Sequence, residues 1–138
     1  MDERALLREW FRLADQDLAY AKHGLLMHPL PLEAICFHCQ QAAEKYLKAY
    51  LVSVGVTEPP KSHDLLRLCE LCSEYDSAFE DIRKPCSRLT NYGVRPRYPD
   101  ETYLDEAIMR RALLFAEEIK NFTPLANLCA EIDSAQAV

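Results

Sequence analysis

Apolar residues recur along this chain at alternating spacings of four and three, the period of an α-helix with one buried face. Between Ala5 and Leu25 they fall at Leu7, Phe11, Ala14, Leu18, Ala21 and Leu25, and Leu6, Trp10 and Leu13 widen the stripe. Gly24, Pro29 and Pro31 end this first helix, and Pro31 suits the first turn of the next, where a missing N–H costs nothing. The spacing predicts a second helix from about Leu32 to Val54, traced by Cys36, Cys39, Ala43, Leu47 and Tyr50 and stopped by Gly55. Ser62 or Asp64 caps a third, lined by Leu65, Leu68, Cys69 and Cys72. Ser77 with Glu80 has the form of a capping box opening a fourth through Phe79, Ile82, Cys86 and Leu89, with a kink or boundary at Pro85. The segment NYGVRPRYPDE, with Gly93, Pro96 and Pro99, reads as a structured loop. Thr102 with Asp105 caps a last helix carrying Ile108, Ala112, Phe115, Ile119 and Phe122. After Pro124 the apolar pattern Leu125, Leu128, Cys129 and Ile132 is enough for one or two further turns that fray. With only 3 glycines in 138 residues and no strand alternation, hairpin-rich β folds are excluded. The expected fold is all-α, an up-and-down bundle of about five helices over residues 1–122, followed by a tail over 123–138.

The beginning, MDERALLREW, is charged from its second residue and has no long apolar core, so it does not read as a secretory signal. No stretch approaches the ~18 apolar residues of a membrane helix. A soluble cytoplasmic protein with no membrane contact is expected. The six cysteines include Cys36-x-x-Cys39 and Cys69-x-x-Cys72, a spacing that zinc sites use. Both pairs lie on the apolar faces of helical patterns, where free cysteine behaves as a small hydrophobe. No metal and no cofactor is therefore expected, the cytoplasm disfavours disulfides, and nothing marks a cysteine nucleophile.

The net charge of −6 argues against a general nucleic-acid coat protein, but the average hides a segment of opposite sign. Residues 1–82 carry a net −6 and residues 99–138 a net −5, whereas residues 83–98 hold Arg83, Lys84, Arg88, Arg95 and Arg97 and no acid. Tyr92 and Tyr98 interleave these cations. Guanidinium forks bind phosphate bidentately and tyrosine faces stack on bases, so the segment reads as a phosphate, nucleotide or single-stranded RNA surface. The alternative is that its arginines pair with the protein's own acids or those of a second copy. His38, beside Gln40 and Gln41, and His63, at a helix start, are candidates for acid–base or hydrogen-bonding roles, against the alternative of a cap or a satisfied buried imidazole. Glycine-rich phosphate loops, HExxH and G-x-S-x-G are absent from the sequence.

The run CFHCQQAAEKYLKAYLVSVG, the following KSHDLLRLCE and the segment NYGVRPRYPDE together resemble the HEPN family, over about residues 5–122. The resemblance is carried by Phe37, His38, Gln40, Gln41, Glu44 and Lys45 of an F-H-x-Q-Q-A-x-E-K-x-L-K-A motif, continuing through Leu47, Lys48 and Ala49, with His63-Asp64-Leu65 and Arg97-Tyr98-Pro99-Asp100 after it. It implies a five-helix bundle, usually a homodimer, partnered by a minimal nucleotidyltransferase in a toxin–antitoxin-like pair. Several HEPN branches are metal-independent ribonucleases that use an arginine followed after four to six residues by a histidine. No arginine of this chain reaches a histidine at that offset, so the resemblance implies the non-nuclease branch, with no catalytic residues. The leading expectation is a binding module that holds nucleotide phosphate or RNA through Arg88, Tyr92, Arg95, Arg97 and Tyr98, with His63, Lys45 and Lys48 adding to the same cleft. The runner-up is a ribonuclease toxin with His63 as its acid and Arg97 or Arg88 stabilising charge. A third reading is a structural interaction protein whose basic patch docks an acidic partner.

Overall fold

The computed structural model describes residues 2–92 and 104–136. They form α1 (Glu3–His23), α2 (Leu32–Ser53), α3 (Leu65–Ser73), α4 (Arg83–Tyr92), α5 (Glu106–Asn121) and α6 (Thr123–Gln136), with short 3₁₀ segments at Gly24–Leu26 and Ser77–Ile82. The described residues contain no strand. The described residues are all-α, with six α-helices where the spacing predicts about five.

The sixth helix is the correction. The tail forms a 14-residue helix instead of one or two fraying turns. Pro124 is its second residue, a first-turn position that needs no N–H partner. The proline that ends α5 therefore also begins α6. Leu125 and Ile132, seven residues apart, are buried in the common core, and that contact holds the helix down.

The other boundaries follow local chemistry. The carboxylates of Asp2, Asp64, Asp76 and Asp105 accept from the freed backbone N–H groups at the starts of α1, α3, the second 3₁₀ segment and α5. Asp76, not Ser77, is thus the cap before Phe79, and the expected fourth helix divides at Arg83 into a 3₁₀ segment and α4. Pro85, third in α4, sits where its missing N–H is harmless. Gly55, at φ 97°, takes the left-handed conformation that ends α2.

α2 is the central element, packed against α1, α3, α4, α5 and α6. Its Ile35, Cys39, Ala43, Leu47 and Leu51 lie in the same core as Leu18 of α1, Leu68 of α3, Leu89 of α4 and Ile119 of α5. No helix among the described residues is long and apolar enough to cross a membrane. The turn between α1 and α2 is tight: a Cβ built on Gly24 meets Ile35 Cγ1 at 2.7 Å and Cδ1 at 3.1 Å. Gly24→Ala therefore drives a methyl group into a buried side chain. We expect a loss of about 1–2 kcal/mol, read as a lower urea midpoint at unchanged m-value.

Candidate functional site

α2 carries two polar stripes on otherwise apolar surroundings. His38 and Lys45 are two turns apart and face α1, while Gln40, Glu44 and Lys48 follow one another at four-residue intervals. The described residues include just three buried charged side chains: Asp17 (7% exposed), Glu44 (6%) and Lys48 (7%). Burying an unpaired ion costs several kcal/mol, so each needs a partner, and the two acids find theirs in the same way. Asp17 holds His38 Nδ1 at 3.0 Å on Oδ1 and pairs with the Lys45 ammonium through Oδ2. Glu44 holds His63 Nδ1 at 2.7 Å on Oε1 and Lys48 Nζ at 3.0 Å on Oε2. Two buried carboxylates thus each hold one lysine and one histidine. The Lys48 ammonium also lies 6.0 Å from the centre of the Trp10 ring.

Gln40 continues the second stripe with a different task. Its Nε2 donates to the Leu89 carbonyl at 2.6 Å and to the Thr90 carbonyl at 3.0 Å, satisfying acceptors that the last turn of α4 leaves free. Thr90 Oγ1 donates to Cys86 O at 2.9 Å and accepts from Leu65 N at 3.0 Å, tying the end of α4 to the start of α3. The end of α4, from which the basic segment continues in sequence, is therefore anchored to α2 and α3, close to His63.

On the outer face of α4, Lys84, Ser87 and Arg88 line a shallow cavity of about 500 Å³ with Leu66, Glu80, Asp81 and Arg83. Arg83 pairs with Glu70 at 3.0 Å. Lys84 and Arg88 make no ion pair among the described residues.

A model of the HEPN domain matches residues 7–126, nearly the whole chain. The chain belongs to the HEPN family. No curated protein and no solved structure matches it.

In this HEPN domain the residues singled out from the sequence separate into groups. Lys48 and His63 are brought together by Glu44, whereas Lys45 lies on the α1 side of α2 with Asp17. Both lysine charges are already balanced by carboxylates. Arg88 lines the α4 cavity, and Tyr92 stacks on Phe115 of α5, ring centres 6.1 Å apart. Arg95, Arg97 and Tyr98 lie outside the described residues. Sequence reasoning counted Lys84 in the basic segment without naming it a site residue and passed over Ser87, although Lys84 and Arg88 are four apart and so share a helix face. It also passed over Asp17 and Glu44 as the holders of the histidines and lysines. An acid at position 17, directly beside the apolar stripe residue Leu18, was the available signal.

The cysteines belong to the core. Cys36, Cys39, Cys69, Cys72 and Cys86 are buried and free, and Cys129 is half-buried. Burial pushes the Cys36 thiol up to about 11 and the Cys39 thiol up to about 12. Cys69 donates to the Phe79 carbonyl at 3.2 Å and Cys72 to the Leu47 carbonyl at 3.6 Å. The described residues contain no group of three or more His, Cys, Asp or Glu side chains placed to hold a metal ion.

Removing Glu44 leaves the buried Lys48 ammonium without its carboxylate. Glu44→Ala is expected to cost about 3 kcal/mol in urea unfolding, and Glu44→Ala with Lys48→Met to recover most of that loss. Equal destabilisation in the single and double variants would show that the pair does not carry the effect.

Proposed function

We propose that this HEPN domain is a binding module for phosphate-bearing ligands, nucleotide or RNA, and that it works as a homodimer beside a minimal nucleotidyltransferase in a toxin–antitoxin-like pair. The observation that carries the reading is the pairing state of the cations. Lys45 and Lys48 are held by buried acids and Arg83 by Glu70. Lys84 and Arg88, one turn apart on α4, have no such partner among the described residues and flank Ser87 on an open cavity. Arg95, Arg97 and Tyr98 follow in the sequence after α4, in a segment without acids up to Tyr98. Free guanidinium and ammonium groups next to a hydroxyl suit phosphate oxygens, and the proposed site is Lys84, Ser87 and Arg88 with those three residues. His63, held by Glu44, is not among the residues lining that cavity. Lys45 and Lys48 support it by holding the frame.

A second reading, a metal-independent ribonuclease using His63, draws on one observation. The His63 side chain is 82% exposed while its Nδ1 is fixed by Glu44, the arrangement of an oriented acid–base. One titration addresses both readings. Single-stranded RNA is added to wild type and to Lys84→Ala/Arg88→Ala over a range of salt. Loss of two phosphate contacts should weaken binding and flatten the log–log salt slope by about 1.4. An unchanged slope removes α4 from the site, and RNA recovered intact after prolonged incubation removes the ribonuclease reading.

The homodimer is supported by apolar surface left in water. Leu26 and Leu114 are exposed, and Leu25, Leu113 and Leu114 line a cavity of about 540 Å³ between Lys22, Arg110 and Glu117. Sedimentation of the full chain should show a dimer at micromolar concentration, shifted toward monomer by Leu114→Glu. A wild-type monomer contradicts the assembly.

A further inference from the structure

Three of the free cysteines meet where α3 packs on α4: Cys69, Cys72 and Cys86. Cys72 spends its S–H on the Leu47 carbonyl of α2. The other two are joined to each other. Cys69 donates to the Phe79 carbonyl at 3.2 Å, and its sulfur accepts from the Cys86 thiol. A carbonyl only accepts, so the Cys69 proton is spent there and the proton between the two sulfurs belongs to Cys86. Packing alone does not require this contact, because buried cysteine fills space as a small hydrophobe. Two sulfurs in hydrogen-bond contact on two different helices are close to the arrangement a disulfide needs.

The surroundings give the two sulfurs different roles. The hydrogen bond from Cys86 holds the Cys69 thiol below its ordinary value against burial, and Arg83 adds to the effect. The same bond, with burial, pushes Cys86 up. Cys69 is the one cysteine of the chain displaced downward. A nucleophilic thiol beside a second thiol is the arrangement of an oxidant-sensing pair. Both sulfurs are buried, but Cys69 is covered by Phe79 of the 3₁₀ segment Ser77–Ile82. A 3₁₀ turn has poorer hydrogen bonds than an α-helix and opens more readily. The cavity between α3 and α4 lies just outside, lined by Leu66, one turn before Cys69, by Arg83, and by Ser87, next to Cys86.

We propose that Cys69 and Cys86 are a modification site, a dithiol that a peroxide converts to a disulfide joining α3 to α4. The Cys69 sulfur attacks one peroxide oxygen. An S–O bond forms, the O–O bond breaks, and the leaving hydroxide carries off the Cys69 proton as water. The Cys86 sulfur then attacks Cys69, an S–S bond forms, the S–O bond breaks, and a second water leaves with the Cys86 proton. The two thiols lose two electrons and the peroxide gains them, and a dithiol reductant reverses the change. The bridge ties to α3 the turn of α4 that carries Lys84, Ser87 and Arg88. The proposal holds whatever the cavity there binds.

The experiment treats the full-length protein with hydrogen peroxide in native buffer, blocks the remaining thiols with N-ethylmaleimide in urea, and digests with trypsin without reductant. Cleavage after Arg83 separates the two sulfurs. The bridge is read as peptides 68–83 and 84–88 held together, and fragmentation tells Cys69 from Cys72. The linked peptides are expected from wild type and should vanish with dithiothreitol. Cys72→Ala should keep the bridge. Cys86→Ala should lose it and leave Cys69 as a sulfenic acid that dimedone traps. The wild-type peptide map decides the matter even where a variant folds poorly. Absence of the bridge, a bridge that forms only in urea, one between Cys72 and Cys86, or oxidation confined to Cys129 overturns the proposal.

Discussion

Asp17 and Glu44 are buried carboxylates in a bundle whose remaining interior is almost entirely apolar. An ion in such a place is tolerated only with an opposite charge and hydrogen bonds in good geometry. Each acid receives a lysine ammonium and a histidine Nδ1, and each ties α2 to another segment of the chain. Asp17 of α1 reaches His38 and Lys45 of α2, fixing the register of two antiparallel helices at two points. Glu44 of α2 reaches forward to His63, just before the cap of α3. Apolar packing brings these helices together without choosing their register to the residue, since Leu and Ala faces slide at small cost. The buried charges make a shifted register expensive, because a slip of one turn strands an ion in the core.

The same logic places α4. Its end is held by Gln40, an uncharged amide in line with Glu44 and Lys48, and by Thr90, which serves α3 and α4 together. The basic segment therefore departs from a fixed point. A loop that starts from a rigid helix end loses less entropy on binding than one that starts from a frayed end. On the proposed function, the frame contributes to ligand binding without touching the ligand.

The helices were legible in the sequence because their signal is local. The four–three spacing of Leu7 to Ala21 survives in the buried positions of α1, whereas α5 buries Met109, Ala112, Ala116 and Ile119 and leaves Ile108 and Phe115 half-buried. Boundaries were less legible, because Pro124 carries two opposite meanings, stop and first turn, and only the burial of Leu125 and Ile132 selects the second. Asp76 against Ser77 was a choice between adjacent capping residues that the chain's approach direction decides. The partners of the polar motif residues were not legible at all. Gln40 bonds carbonyls 49 and 50 residues away, and Glu44 a histidine 19 away. No periodicity encodes such distances; they exist only once the helices have packed.

This bears on how a family motif is read. Of the polar residues in the α2 motif, His38, Gln40, Glu44, Lys45 and Lys48 all have partners inside the chain. A motif whose side chains find their partners within the fold identifies a fold more than a chemistry, because selection for register alone suffices to retain them. The chemistry must then lie in groups the fold leaves unsatisfied. On α4 the Lys84 and Arg88 charges are such groups. His38 and His63 each spend Nδ1 on a buried carboxylate, and His63 keeps the rest of its side chain, 82% exposed, in water.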